Sequence, residues 1–241
     1  MSPDRRRHRG AHPEDARLFA PERIEALRTA VSELSWLLGR GYQSKSSLKL
    51  VGDRHNLRER QRLAVARAAC SDESRAVRLG REVNAAEVEG ADLIVDGFNL
   101  VITLEAALGG GVLVHCRDGC VRDLSSVHGS YRAVEETERA VLLAGEVLFT
   151  MRPASVLWLF DSPVSNSGRL AERVRTLASE HNWPWQVRAE FNPDRTIANS
   201  PRLAVTSDSN VLDHTTRWLN LSRLVIERRI SNPWFIDLNV P

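Results

Sequence analysis

A three-layer α/β/α fold with a central, mainly parallel sheet, preceded by a small helical domain, is predicted by three features of the sequence. From residue 91 onward, short continuous apolar runs alternate with helix-like stretches, the pattern of βαβ units whose strands are covered on both faces. Residues 14–90 show helical spacing and lack such runs. The chain has 241 residues and is 42% hydrophobic, enough apolar material for a sizeable core.

Residues 1–13 are charged, contain Pro3 and Pro13 and have almost nothing to bury, so they read as a disordered basic head. From Pro21, a favourable first-turn residue, Ile24, Leu27, Val31, Leu34 and Leu38 recur at helical spacing until Gly39 and Gly41. A polar loop is expected over 43–47, and a second helix over 56–70 with Leu57, Leu63, Ala64 and Ala68 inward. The second domain, 91–241, opens with the run Leu93-Ile94-Val95. A helix follows over 98–108, a strand over 112–115, a helix over 133–149 and a strand over 155–160. Helix 168–180, strands 185–191 and 203–206, helix 210–219 and strand 223–226 complete the series. Trp36, Trp158 and Trp218 sit in apolar context and are expected in the core.

Net charge is +2, but residues 1–90 hold 18 basic and 13 acidic side chains, and residues 91–241 hold 15 and 18. A basic front half suggests a polyanion partner for that part of the chain. Of the 33 basic residues 31 are Arg, and the lysines are Lys45 and Lys49. That excludes a P-loop lysine, a Schiff base or a phosphatase lysine in the rear two-thirds. Three cysteines do not make a disulfide scaffold, no signal peptide is apparent, and Asp96 and Glu105 interrupt the most apolar region, so a soluble, cytoplasmic protein is expected.

Function in an open parallel sheet gathers at the carboxyl ends of its strands. Here the run 93–95 ends in Asp96, the run 155–160 in Asp161 and the run 203–206 in Ser207-Asp208, with Asp213 in the first turns of the next helix. Any one strand-end Asp is most simply a helix cap. Four carboxylates brought together repel one another and call for a cation, and oxygen ligands suit Mg²⁺ or Mn²⁺, which support phosphodiester hydrolysis.

Leu93-Ile94-Val95-Asp96-Gly97-Phe98-Asn99-Leu100 resembles the first-strand signature of the NYN branch of the PIN-like nuclease superfamily. Leu157-Trp158-Leu159-Phe160-Asp161 is similar to its middle strand, and the stretch from Val205 through Asp208 to Asp213 to its last motif. The ordered trio covers about residues 91–226, and the whole chain resembles an uncharacterised prokaryotic family with a helical N-terminal domain and a PIN-like C-terminal one. The resemblance implies Mg²⁺ or Mn²⁺ on Asp96, Asp161, Asp208 and Asp213, and cleavage of single-stranded or structured RNA. It further implies that Asn99 orients Asp96 or a bound water, and that a central-helix acid, Glu135 or Glu138, assists.

Asp123 is an outer-shell candidate, in a loop leading to His128-Gly129-Ser130-Tyr131-Arg132, a stretch suited to a phosphate or to a base stacked on Tyr131. His115, Cys116, Cys120 and His128 offer zinc-ligand types, but structural zinc has tighter paired spacing, and Asp118-Gly119 reads as a turn pair. Arg169 and Arg173 share a helix face after the Ser- and Asn-rich loop that follows Asp161, a natural phosphate seat beside a metal site. Lys45, Lys49, Arg54, His55, Arg58, Arg60 and Arg62, interleaved with Tyr42, form a candidate RNA-binding patch. Two other functions compete with the ribonuclease. A metal-dependent RNA-binding or regulatory module would use the same acids without cleavage. An aspartyl-phosphate phosphatase would want an Asp two residues after its nucleophile, where Phe98 and Pro163 stand.

Overall fold

The computed structural model describes residues 8–125, 129 and 131–241. Five helices come first: α1 (Asp15–Leu18), α2 (Pro21–Leu38), α3 (Ser44–Arg54), α4 (Glu59–Ala68) and α5 (Asp72–Arg81). A 3-10 turn, Ala85–Val88, leads into β1 (Asp92–Asp96) and α6 (Gly97–Leu108). Then come β2 (Leu113–His115), β3 (Val121–Asp123), α7 (Thr137–Met151), β4 (Ser155–Asp161), α8 (Ser167–Glu180) and β5 (Trp185–Glu190). The chain closes with α9 (Pro193–Ala198), β6 (Leu203–Val205), α10 (Ser209–His214), β7 (Trp218–Leu219), α11 (Leu221–Arg229) and β8 (Phe235–Asp237).

A five-stranded sheet runs β5-β4-β1-β6-β7, with all its paired strands parallel. Because side chains alternate across a strand, it feeds two cores. Leu93, Val95, Val156, Trp158 and Phe160 pack with buried residues of α6, α7, α8 and α11, among them Leu104, Leu143, Val174 and Val225. Ile94, Leu157, Leu159, Ala204 and Trp218 face the other way, onto Leu27, Leu34, Ala64 and Val65 of the front helices and Val114 and Ile236 of a second sheet. The three-layer α/β/α arrangement with a helical front segment is therefore present. The segment 14–90 has no core to itself; its apolar faces form part of the layer that covers the sheet.

Several elements differ from expectation for identifiable reasons. The expected loop over 43–47 is instead mostly helix, within α3 (Ser44–Arg54), whose inward positions Ser47, Leu48 and Val51 are too few and too polar to reveal a period. The expected strand 223–226 lies inside α11, where Leu221, Val225 and Ile226 are buried at helical spacing. The expected helix 210–219 stops at His214, and Trp218-Leu219 is an edge strand. The run at 112–115 joins the smaller sheet β3-β2-β8, and Asp118-Gly119 turns the chain between β2 and β3 with Gly119 at φ +80°. Trp158 and Trp218 are buried, but Trp36 is 55% exposed, with the Arg40 guanidinium 3.5 Å from its ring centre. Of the expected disordered head, residues 8–13 are described and Arg9 among them is held in the fold; residues 1–7 lie outside the described residues. Arg9 is buried and donates to Glu105 on α6, a carboxylate with no exposure that requires a counter-charge there.

One buried ion network ties the front helices to the sheet. The Asp118 carboxylate, fully buried, accepts from Arg78 of α5 at 2.7 Å and from Arg122 of β3 at 2.7 and 2.9 Å. Arg122 also donates to the Ser207 carbonyl at 2.8 Å, and Arg78 grips both oxygens of Asp213 at 2.8 and 2.9 Å. The adjacent guanidiniums of Arg122 and Arg78 overcome the effect of burial and hold the Asp118 carboxyl well below the usual carboxylate range.

Asp118→Ala leaves two buried guanidiniums without their shared partner and should cost about 3–5 kcal/mol in urea denaturation at pH 7. Since the folded carboxyl titrates below the unfolded one, its contribution is present above about pH 4 and fades as the pH falls further. An Asp118→Ala protein as stable as the parent at pH 7 would contradict this assignment.

Candidate active site

From β1 the chain builds outward through β4 to β5, then returns to the other side of β1 with β6 and β7. The order reverses between β1 and β6, and a doubly wound sheet opens a crevice at the carboxyl ends of its strands at that point. Asp96 ends β1, and Thr206-Ser207-Asp208 follows β6. The two sides are joined directly. Asp96 Oδ2 accepts from the Thr206 hydroxyl at 3.0 Å, and Asn99 Oδ1 accepts from the Ser207 backbone N–H at 2.8 Å and its hydroxyl at 2.9 Å. The Asn99 side chain thus holds the end of the neighbouring strand, while its backbone N–H, at 3.2 Å, caps onto Asp96 Oδ1.

The capping reading holds for two of the four predicted acids. Asp96 caps α6, and Asp208 caps α10, accepting from the amides of Asn210 at 2.9 Å and Val211 at 3.2 Å. Each keeps a further role, since a cap uses only part of a carboxylate's acceptor capacity. Gly97 is required by packing, because a Cβ there would lie 2.4 Å from the Phe160 ring that backs the site.

A further acid, Asp194 in the first turn of α9, lies near enough to Asp96, Asp161 and Asp208 for their charges to interact. Burial pushes the Asp96 carboxyl up to about 7, with the charges of Asp194 and Asp208 adding to the shift against the hydrogen bonds from Asn99 and Thr206. Asp194 is raised too, by desolvation and then by Asp208 and Asp161. Among the described residues none of these four carboxylates has a cationic partner. Asp194 lies beyond the end of β5, in a helix of six residues, too short to show a period; the strand-end rule applied to 185–191 was the one signal for it.

Asp213 does not belong to this group. It is taken up by Arg78, which leaves it as the outer end of the Asp118 network. Asp123 is buried in β3 and accepts from the Thr103 hydroxyl at 2.9 Å and the Ser125 amide at 2.6 Å, an anchor for the start of the following loop. Glu138 is exposed and paired with Arg173 at 2.5 Å, and Glu135 faces His8 at 3.8 Å, so each has a partner on the surface. Tyr131 is no stacking platform, being buried with its hydroxyl on Glu105 at 2.5 Å. His128 and Ser130 of the loop before it lie outside the described residues. Cys116 and Cys120 are buried thiols, and burial raises both pKa values, which disfavours the thiolates zinc would need. Among the described residues no group of three or more His, Cys, Asp or Glu side chains is close enough to hold one ion directly.

The basic candidates fall into two places. In the front patch Lys49 and Arg62 share Asp53, Arg54 pairs with Glu33 and Arg60 with Asp15, so much of its charge is spent internally; Lys45 is exposed beside them. Arg132, Arg169 and Arg173 instead line one cavity.

Residues 85–224, more than half of the chain, match a family described as a domain of unknown function, DUF5616. The chain belongs to the DUF5616 family. Residues 26–81 match a second family, described as a protein of unknown function, DUF434. An uncharacterized protein of Methanocaldococcus jannaschii is 29% identical over 187 residues, which cover 78% of this chain and 89% of that protein. No solved structure matches the chain. Asp96, Asp161, Asp194 and Asp208 all fall in the DUF5616 region, whereas Arg78, which holds Asp213 and reaches Ser209, comes from the DUF434 region.

An unfolded Asp titrates near pH 4, so the elevated Asp96 pKa costs the folded state stability as the pH rises from about 4 to about 7, and the full cost persists above that. Asp96→Asn retains capping ability and removes the charge. At pH 8 it should be more stable than the parent by on the order of 2–4 kcal/mol, and at pH 4 nearly equal to it, by urea denaturation. A variant less stable than the parent at pH 8 would show that Asp96 is held as a favourable anion.

Proposed function

We propose that this DUF5616 protein is a metal-dependent ribonuclease of PIN-like type. The observation that carries the reading is a set of four carboxylates at the carboxyl ends of parallel strands, Asp96 and Asp208 at the switch point and Asp161 and Asp194 beyond β4 and β5, with no cationic partner among the described residues. Such an arrangement costs stability unless a cation offsets it. An all-oxygen donor set fits Mg²⁺ or Mn²⁺, and Mg²⁺ keeps several waters and binds through one or two carboxylates, which suits acids spaced too widely to close on one ion. One or two of Asp96, Asp161, Asp194 and Asp208 would hold it, the others facing its waters. When bound, such an ion lowers the pKa of water and stabilises charge on phosphate oxygens.

The chain's own residues supply the rest. Thr206 and the Asn99 backbone N–H fix the orientation of the Asp96 carboxylate. Asn99 keeps the Ser207-Asp208 segment against α6, and the Asp208 charge is felt at Asp96. Asp161 has no hydrogen-bond or ion-pair partner for its side chain among the described residues, which leaves its oxygens available. A reading as an RNA-binding module without cleavage is favoured by one observation, the absence among the described residues of three acids at direct coordination distance.

A single-stranded oligoribonucleotide incubated with Mn²⁺ should be cleaved by the parent. Asp96→Asn and Asp208→Asn should each lose more than about 100-fold in rate, beyond what removal of an outer-shell partner costs. Asp194→Asn should lose more than Asp213→Asn. Undiminished cleavage in both the Asp96 and Asp208 variants would refute the proposal. Tight metal-dependent RNA binding with no cleavage would establish the binding module instead.

A further inference from the structure

A cavity of about 270 Å³ opens between α7 and α8, lined by Arg132, Arg169 and Arg173 together with Asn166, Thr137 and Tyr131. Its position relative to the acids follows from the rings that separate them. Phe98, two residues after Asp96, packs on Tyr131 at 5.2 Å and on Phe160 at 5.3 Å, and Phe160 immediately precedes Asp161. Asn166 comes from the loop that leaves β4 after Asp161, and its side-chain N–H donates to the Tyr131 carbonyl at 2.8 Å, closing that wall. The cavity therefore lies at the same end of the sheet as the acidic group, one layer of aromatic rings away.

We infer that this cavity seats a backbone phosphate of the RNA strand, next to the phosphate that faces the acids. The inference rests on the nuclease reading for the identity of the ligand, and on the cavity for its place. An acidic centre repels a polyanion, so the strand must be held by cations close by. Three arginines supply them. Arg169 is exposed and forms no ion pair among the described residues, and Arg173 is shared with Glu138 at 2.5 Å and Glu180 at 4.0 Å. Guanidinium groups give phosphate two-pronged, charge-assisted hydrogen bonds, and Asn166 adds an amide. The volume lies just below the ~300–1,000 Å³ of a small-molecule pocket and suits a phosphate with its sugar. Glu138, by competing for Arg173, holds affinity down.

The test is equilibrium binding of a fluorescent single-stranded oligoribonucleotide by anisotropy over a range of salt, with Mn²⁺ binding followed in parallel by calorimetry. Arg169→Glu should weaken RNA binding about fivefold or more and reduce the slope of log affinity against log salt by about 0.7, one phosphate contact on a single strand, while Mn²⁺ affinity stays unchanged. Arg169→Lys should recover part of the loss, and Glu138→Gln should tighten binding several-fold by releasing Arg173. RNA affinity and salt slope unchanged in both Arg169→Glu and Glu138→Gln would overturn the inference, even if the parent cleaves RNA. Arg169-dependent RNA binding by a parent that cleaves no RNA would uphold the cavity and refute the nuclease.

Discussion

The fully buried Asp118 carboxylate between the guanidiniums of Arg78 and Arg122 is the constraint on which the rest of the molecule depends. A buried charge is tolerated when it is paired and hydrogen-bonded, and removing one partner is far more costly than never having had the pair. Here the pairing joins three distant pieces of chain. Arg78 comes from the region matching DUF434, Asp118 and Arg122 from the hairpin of the small sheet, and the same guanidiniums reach Ser207, Ser209 and Asp213 after β6. Two regions that match separate families are thus one packed body, and the residues on either side of Asp208 are held by Arg122 and Arg78. The Arg9–Glu105 pair does the same on the other core, drawing the N-terminal segment onto α6, with Tyr131 and Thr137 as further partners.

Against this, the acidic group is built the other way round. Both buried carboxylates of the two networks, Glu105 and Asp118, have a guanidinium, while Asp96, also buried, has hydroxyl and amide donors and other acids for neighbours. A protein with 31 arginines had many ways to place one there. Local departures from the rules that stabilise a fold are expected where a site needs them. The same contrast separates Asp213 from Asp208: five residues apart on one short helix and its cap, one is neutralised by Arg78 and the other has no cationic partner among the described residues.

The sheet was legible because buried parallel strands are continuous apolar runs, and Leu93 to Val95 and Val156 to Phe160 are such runs. Asp96, Asp161 and Asp208 were legible as the residues that end them. Elements whose burial is uneven or whose length is short were not. Helix α3 buries Ser47 and Gly52 beside Val51, and α9 is too brief to carry a period, which hid Asp194. Asp213 was misassigned because its partner, Arg78, is 135 residues away in sequence, and long-range ion pairing leaves no local trace. For the same reason the front charges, read as a free basic patch, are largely internal pairs with Asp53, Glu33 and Asp15.

The claim that the acids are arranged for a cation is tested most directly by diffraction from crystals grown with Mn²⁺, using the anomalous signal of manganese. A peak among Asp96, Asp161, Asp194 and Asp208, with Asp213 still on Arg78, is the predicted result. No peak among these four carboxylates at saturating Mn²⁺ and pH 8, where Asp96 is ionised, would contradict it.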